Sequence, residues 1–129
     1  MDDLVRYRLN FAEEKLKSAK ILLDAGQLKD SVGRSYYALF SAVRAVLATE
    51  EVDFSKHAGV ISYFQKHYIK EHVFDSKYSK YLTMAFQIRN SCDYDDFYVI
   101  SRARAEEQYK HAEEMIEIIK DYLQNNEGF

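Results

Sequence analysis

Proline is absent from this 129-residue sequence, and glycine occurs only four times. A β-sandwich or β-barrel of this length needs many Gly- or Pro-containing turns, so the composition argues against both and favours uninterrupted helices. Cysteine occurs once, as Cys92, which excludes an internal disulfide and a cysteine-rich zinc site. No apolar run approaches the ~20 residues of a membrane-spanning helix, and the acidic start Met1-Asp2-Asp3-Leu4 is unlike a signal peptide. We therefore expect a cytoplasmic protein without a membrane segment.

Enough apolar material is present for one core. Apolar residues make up 47% of the chain, and its length is that of one ordinary domain, so residues 1–129 are expected to form a single domain. The net charge of −3 argues against a protein that coats nucleic acid along its whole surface. One local basic site is compatible with that charge.

Apolar side chains recur with helical spacing in five segments, which predicts an all-α protein. Segment 93–100 has no such stripe and is predicted to be the functional loop, and residues 125–129 are expected to be a frayed tail. Gly26 is placed to end the first helix, whereas Ser55 and Ser101 are placed to cap the third and fifth. The predicted helices run from about Asp2 to Ala25, from about Lys29 to Ala48, from near Ser55, from about Ser76 to Cys92, and from Ser101 onward.

The first and last helices carry matching apolar seams at alternating spacings of four and three. We expect them to pack together as an antiparallel pair or within a bundle. The seams are Val5, Leu9, Ala12, Leu16, Ala19 and Leu23 in the first helix, and Ala105, Tyr109, Ala112, Ile116, Ile119 and Leu123 in the last.

Arg89 is the first residue that could carry chemistry. It follows Ala85 by one helical turn, so it lies on the inner or boundary face of the fourth helix. A structural interpretation is that Arg89 complements the helix dipole and pairs with Asp93 at i+4. A functional interpretation is that its planar guanidinium holds a phosphate.

His57 is the second such residue. It shares a face with Val60 and Ile61 near the start of the third helix, where a histidine is usually a hydrogen-bonded boundary residue. A helix N-terminus would lower its pKa and favour the neutral imidazole, which can act as a base or a neutral donor.

Metal-ligand patterns are not met. His67 and His72 are five residues apart, whereas zinc-binding helices use i and i+4. Glu107 and His111 are one residue too far apart for the Glu-x-x-His pairs of di-iron bundles. The acids of segment 93–96 lack the glycine and terminal glutamate of a calcium loop. We expect neither a metal nor a cofactor.

Three pieces of the sequence are informative together: residues 30–47, which contain Ser-Tyr-Tyr-Ala-x-Phe; residues 55–64, which contain Lys56 and His57; and residues 88–95, which contain Arg-x-x-x-Asp-Tyr. In order and spacing they resemble the HEPN family (higher eukaryotes and prokaryotes nucleotide-binding domains), in its small stand-alone prokaryotic branch. The resemblance covers nearly the whole chain. It implies an up-and-down helical bundle that forms homodimers.

The resemblance also bears on catalysis. Nuclease members of the family cut RNA without metal and carry Arg, a polar residue and, after four to six intervening residues, His. Arg89 and Asn90 match the first two, but the histidine positions hold Tyr94, Asp95 and Asp96. An aspartate has an ordinary pKa of about 4 and is a poor proton donor at pH 7. The sequence therefore favours a protein that is not an enzyme.

By the same resemblance, His57 would join Arg89 and Asn90 as a catalytic residue if the missing imidazole comes from another helix. Many small HEPN proteins are paired with a minimal nucleotidyltransferase that can adenylylate a tyrosine just after the catalytic motif. Tyr98 is then the expected acceptor, and Tyr94 is the alternative. The residues implied in nucleotide or RNA binding are Arg89, Asn90, Asp93, Tyr94 and Lys56.

Three hypotheses follow. The first is a HEPN module that binds a nucleotidyltransferase partner and holds a nucleotide or RNA phosphate at Arg89. The second is a metal-independent ribonuclease toxin that uses Arg89, Asn90 and His57. The third is a purely structural helical dimer in which Arg89 and Asp93 form an ion pair.

Overall fold

The computed structural model describes residues 2–126, and within them every regular element is helical, which confirms the all-α prediction. None of the helices in this range is both long and apolar enough to cross a membrane. The helices are α1 (Asp3–Asp24), α2 (Leu28–Ala48), α3 (His57–Phe64), which continues as a π-helical turn (Gln65–Ile69), α4 (Lys77–Tyr94) and α5 (Arg102–Asn126).

The helix ends follow local chemistry that the sequence partly reveals. Gly26 ends α1 with a φ of 79°, a conformation that costs glycine little, as predicted. The Ser101 hydroxyl accepts the Arg104 N–H at 3.1 Å and so caps α5, also as predicted. The predicted cap at Ser55 is wrong, because α3 begins two residues later with Lys56 in the cap position and no side-chain cap.

Two other boundaries differ from the prediction. The fourth helix continues through Tyr94, so the loop begins at Asp95 and not at Asp93. An ion pair between Asp93 and Arg89, one turn earlier, favours this extra turn. The last helix continues through Asn126, so residues 125 and 126 are helical where a frayed tail was expected, and residues 127–129 lie outside the described range.

Side-chain contacts give the directions of the long helices. At one end of the bundle Arg102 Nη1 donates to the Leu23 carbonyl, and further along Lys120 pairs with Glu13, so α1 and α5 are antiparallel as predicted. Arg8 donates to the Arg44 carbonyl and Ser31 donates to the Ala19 carbonyl, so α1 and α2 are antiparallel. Contacts from α4 to α5 are likewise antiparallel, from Tyr78 with Glu114 to Met84 with Arg104. The four long helices therefore alternate in direction, as an up-and-down bundle.

Helix α2 lies at the centre and packs against the other four helices. Its predicted stripe is buried throughout, and the two seams are buried except for Leu16 and Tyr109, which are half-buried. Because α2 is covered on nearly every side, a polar side chain that it carries must find a partner on a neighbouring helix. Its buried stripe comprises Val32, Tyr36, Leu39, Phe40, Val43 and Leu47.

Candidate functional site

Arg89 lies on α4, just over one turn before the helix ends, and its side chain is 15% exposed. Its Nη2 donates to the Tyr37 hydroxyl at 2.7 Å, and its Nη1 donates to Asn90 Oδ1 at 3.1 Å. These two neutral acceptors orient the guanidinium without cancelling its charge.

Asp93 is the acid that faces this cation. Its Oδ2 lies 3.0 Å from Arg89 Nε, but the N–H is not aligned for a hydrogen bond, and Nε has no hydrogen-bond partner among the described residues. The Asp93 side chain is 45% exposed. A pair that is open to water on the acid side is held weakly, so an anionic ligand can replace Asp93 beside Arg89.

Two adjacent tyrosines of α2 form the base of the site. Tyr36 is fully buried and Tyr37 is half-buried, with their rings edge to face at 5.3 Å. The Arg89 guanidinium carbon lies 5.6 Å from the Tyr36 ring centroid and 5.3 Å from that of Tyr37. Both rings therefore stabilise the cation through their faces.

His57 meets the same two tyrosines from α3. Its Nδ1 lies 2.8 Å from the Tyr36 hydroxyl, and its ring packs on Phe40 at 4.1 Å and edge to face against Tyr37 at 6.2 Å. The structure therefore brings His57 and Arg89 together around the Tyr36–Tyr37 pair, although they are 32 residues apart in sequence. We call Arg89, Tyr36, Tyr37 and His57 the Arg89 site.

The electrostatics of the site favour a neutral imidazole. Burial lowers the pKa of His57, and the cations Arg89 and Arg44 lower it further. The sequence predicts the same direction from the helix N-terminus, but burial is the largest cause. Burial also raises the pKa of Tyr36, so its hydroxyl stays protonated.

The role of His57 Nε2 depends on the direction of the Tyr36 hydrogen bond. If the Tyr36 hydroxyl donates to Nδ1, Nε2 carries the proton and is a donor. If Nδ1 donates to Tyr36, Nε2 is a base.

The remaining predicted residues lie around this centre. Lys56 is exposed at the start of α3, next to His57. Tyr94 ends α4 with 73% of its surface exposed. Tyr98 is half-buried and packs against a small apolar cluster that includes Val32. Of the two expected acceptor tyrosines, Tyr94 is thus the more accessible.

A cluster of ion pairs anchors the loop that precedes His57, and it was not predicted from the sequence. Asp53 Oδ2 lies 2.8 Å from Arg44 Nη2 and 3.0 Å from Arg8 Nη2, and this fixes the loop that leads into α3. These cations lower the pKa of Asp53, the Arg44 hydrogen bond most strongly. Arg8 is buried, and its spacing of three from Val5 and four to Ala12 places it on the α1 seam. That spacing was the available signal.

The loop after α4 exposes large apolar side chains. Phe97 is 96% exposed and Val99 is 85% exposed, whereas Ile100 turns inward and is buried. Asp95 and Asp96, which are also exposed, precede them. We call Asp95 to Val99 the exposed loop. These exposed apolar side chains make the loop a candidate interaction surface.

Comparison with known proteins identifies the family. The family model described as HEPN domain matches residues 5–122, and the chain belongs to the HEPN family. A UPF0332 protein of Pyrococcus horikoshii is 40% identical over 79 residues, which cover 61% of this chain and 56% of that protein. A Methanocaldococcus jannaschii protein named "putative toxin" is 36% identical over 86 residues, which cover 67% of this chain and 64% of that protein. A UPF0332 protein of Thermotoga maritima is 28% identical over 124 residues, covering 96% of this chain and 94% of that protein. The match thus spans less than two thirds of the first two relatives and nearly all of the third.

Proposed function

We propose that this protein is a toxin-like HEPN protein that binds an RNA or nucleotide phosphate at the Arg89 site and is controlled by a nucleotidyltransferase-type partner. The observation that carries the proposal is the Arg89 guanidinium, oriented by Tyr37 and Asn90 and opposed only by a half-exposed acid. Relatives named as toxins support the toxin-like part.

The geometry suits a phosphate for electrostatic reasons. A guanidinium offers a planar fork of donors that matches two phosphate oxygens. When a phosphate replaces Asp93, Arg89 keeps its contacts with Tyr37 and Asn90, so the cation needs no rearrangement. Lys56, exposed beside His57, adds a second positive charge for a neighbouring phosphate.

The exposed loop supports the proposal that this protein binds other protein chains. Phe97 and Val99 lie in the loop that follows α4, the helix that carries Arg89, and their side chains are almost fully exposed. We propose that a second copy of this chain and the nucleotidyltransferase both use this surface. Replacing Phe97 by Ser should weaken the homodimer and the partner complex in light-scattering measurements. Leu4→Ser, at another exposed apolar residue, should leave both unchanged.

Adenylylation by that partner is proposed at Tyr94 or Tyr98. Tyr94 is favoured because its ring is exposed, whereas Tyr98 is half-buried against apolar side chains. After incubation with the partner and ATP, mass spectrometry should find one AMP adduct, which Tyr94→Phe removes and Tyr98→Phe retains. An adduct on neither tyrosine would contradict this part of the proposal.

A second candidate function is metal-independent RNA cleavage, favoured by the neutral His57 imidazole beside Arg89. His57 Nε2 would take the proton of a 2′-hydroxyl, whose oxygen attacks the adjacent phosphorus as the bond to the 5′-oxygen breaks. The protonated imidazole then returns the proton to the leaving 5′-oxygen, which gives a cyclic 2′,3′-phosphate. Arg89 would stabilise the charge on the phosphorane oxygens.

Cleavage of structured RNA in EDTA tests both candidates. Wild type would be compared with Arg89→Ala and His57→Ala, with His111→Ala as the control for a half-buried histidine elsewhere. Cleavage that is lost in the first two folded variants and kept in the control would establish the ribonuclease. RNA binding without cleavage in the wild type would support the binding module.

A further inference from the structure

Three partly exposed rings form a row along the outer side of α3 and the π-helical turn. The ring centroids of Phe54 and Tyr63 are 5.7 Å apart, and those of Tyr63 and His67 are 4.1 Å apart. Phe54 is 41% exposed, His67 is exposed and Tyr63 is half-buried. We call these three residues the ring row.

Phe54 is held in place from two sides. A Cβ atom on Gly59 would lie 3.0 Å from Phe54 Cβ and Cγ, so the ring can rest on the α3 backbone only because residue 59 is glycine. The Phe54 N–H donates to Asp53 Oδ1 at 2.9 Å, and Asp53 is itself bound by Arg44. These two contacts place Phe54 against the start of α3.

Positive charge borders the ring row. Lys56, Lys66 and Lys70 are exposed, and the last two follow Tyr63 by about one and two turns. The nearby acid Glu50 accepts hydrogen bonds from the Tyr68 hydroxyl at 2.6 Å and the Tyr63 hydroxyl at 3.4 Å. Rings flanked by lysines are the arrangement that binds single strands, because bases stack on rings while lysines hold phosphates.

We propose that the ring row is a base-stacking subsite for single-stranded RNA that leads into the Arg89 site. Phe54 precedes Lys56 and His57 by two and three residues, and His57 meets the tyrosines that hold Arg89, so the proposal places the phosphates that follow the stacked bases near Lys56 and then Arg89. The inference rests on the proposed RNA-phosphate function of that site and adds the recognition of unpaired bases.

The chain contains no tryptophan, so a single introduced tryptophan reports on its own surroundings. A base that stacks on Phe54→Trp should quench its fluorescence, whereas an abasic strand of the same length should not. The control is Tyr7→Trp, at a 66% exposed ring of α1 that stacks on Phe11. The probe is a fluorescein-labelled oligouridylate, with binding measured separately by anisotropy.

Two substitutions distinguish base stacking on Phe54 from phosphate binding at Arg89. Phe54→Leu keeps apolar contact with Gly59 but removes the ring, and it should lower affinity for oligouridylate about fivefold or more with little change for the abasic strand. Arg89→Ala should lower affinity for both strands. The inference is overturned, and the proposed function kept, if oligouridylate binds through Arg89 but neither quenches Phe54→Trp nor distinguishes Phe54→Leu. If wild type binds neither strand, both are overturned.

Discussion

The bundle contains two clusters of the same residue types with opposite charge at the centre. In the Arg89 site two tyrosines and a histidine surround a cation. In a second group, the Glu114 cluster, Tyr78, Tyr81 and His111 surround the carboxylate of Glu114, together with Lys77.

The two centres differ in how fully they are paired. The Glu114 carboxylate accepts from Tyr78 at 2.9 Å and Tyr81 at 3.3 Å and lies 2.8 Å from Lys77 Nζ. Arg89 has two neutral acceptors and one misaligned acid. The Glu114 contacts link α4 to α5, whereas Arg89 Nε has no hydrogen-bond partner among the described residues. The two centres therefore differ in pairing and not in residue type.

The largest effect on stability is expected at the Glu114 cluster. Glu114→Ala leaves the hydroxyl of the buried Tyr78 without its acceptor, so the free energy of unfolding should fall by about 1–2 kcal/mol, the lower part of the range because Glu114 is partly exposed. RNA affinity should not change. Glu113→Ala is the matched control, since Glu113 accepts only a 3.3 Å bond from the half-buried Tyr109. Urea unfolding measures the difference, and equal losses in both variants would contradict the comparison.

A smaller effect is expected from removing the acid at the Arg89 site. Asp93→Asn should raise RNA affinity about two- to fivefold, because the phosphate no longer competes with a carboxylate for Arg89. The gain should shrink at high salt. Asp96→Asn, at an exposed acid of the same loop, serves as the control in anisotropy measurements. A loss of affinity in Asp93→Asn would mean that Asp93 positions Arg89 for binding.

The smallest effects are shifts of the two histidine pKa values. Burial lowers the pKa of both His57 and His111, but Arg89 lowers that of His57 further, whereas Glu114 raises that of His111. Arg89→Ala should therefore raise the pKa of His57, and Glu114→Ala should lower that of His111. NMR titration of the imidazole protons checks both directions. Shifts of the same sign in the two variants would contradict the opposite effects assigned to Arg89 and Glu114.

The same pKa shifts predict how stability depends on pH. Between the lowered values and the ordinary value of 6.5, the unfolded chain binds more protons than the folded one. The free energy of unfolding should therefore rise as the pH rises through this window. The stabilising contribution of the two neutral histidines should be complete above about pH 6.5. His57→Gln should remove its share of that slope in thermal melts, with His111→Gln removing the other.

The sequence predicted the elements that depend on local pattern. Apolar spacing located the seams of α1 and α5, and Gly26 and Ser101 marked helix ends through their own backbone and side-chain chemistry. The π-helical turn was missed, because the spacing of four between the buried Phe64 and Tyr68 also fits an α-helix. The prediction of a Ser55 cap was wrong because the backbone becomes helical only at His57, so the cap position falls on Lys56.

The candidate site was only partly predictable. Arg89 and His57 were selected singly, from their positions on helix faces. That Tyr36 and Tyr37 join them depends on how α2, α3 and α4 pack, which no spacing within one helix reveals. Arg8 was missed because a charged residue on a seam is read as a boundary position unless its partner, Asp53, is known.

Whether Arg89 binds a ligand is tested most directly by measuring RNA affinity and thermal stability together for Arg89→Ala and Glu114→Ala, in EDTA. We expect Arg89→Ala to lower affinity about tenfold or more and to lower the free energy of unfolding by no more than Glu114→Ala does, because the Asp93 that it leaves is half-exposed and hydrated, although the Tyr37 hydroxyl loses its donor. Glu114→Ala should destabilise the fold and leave RNA affinity unchanged. An Arg89→Ala variant that loses several kcal/mol of stability and binds RNA as wild type does would contradict the proposed function and make Arg89 a structural ion-pair residue.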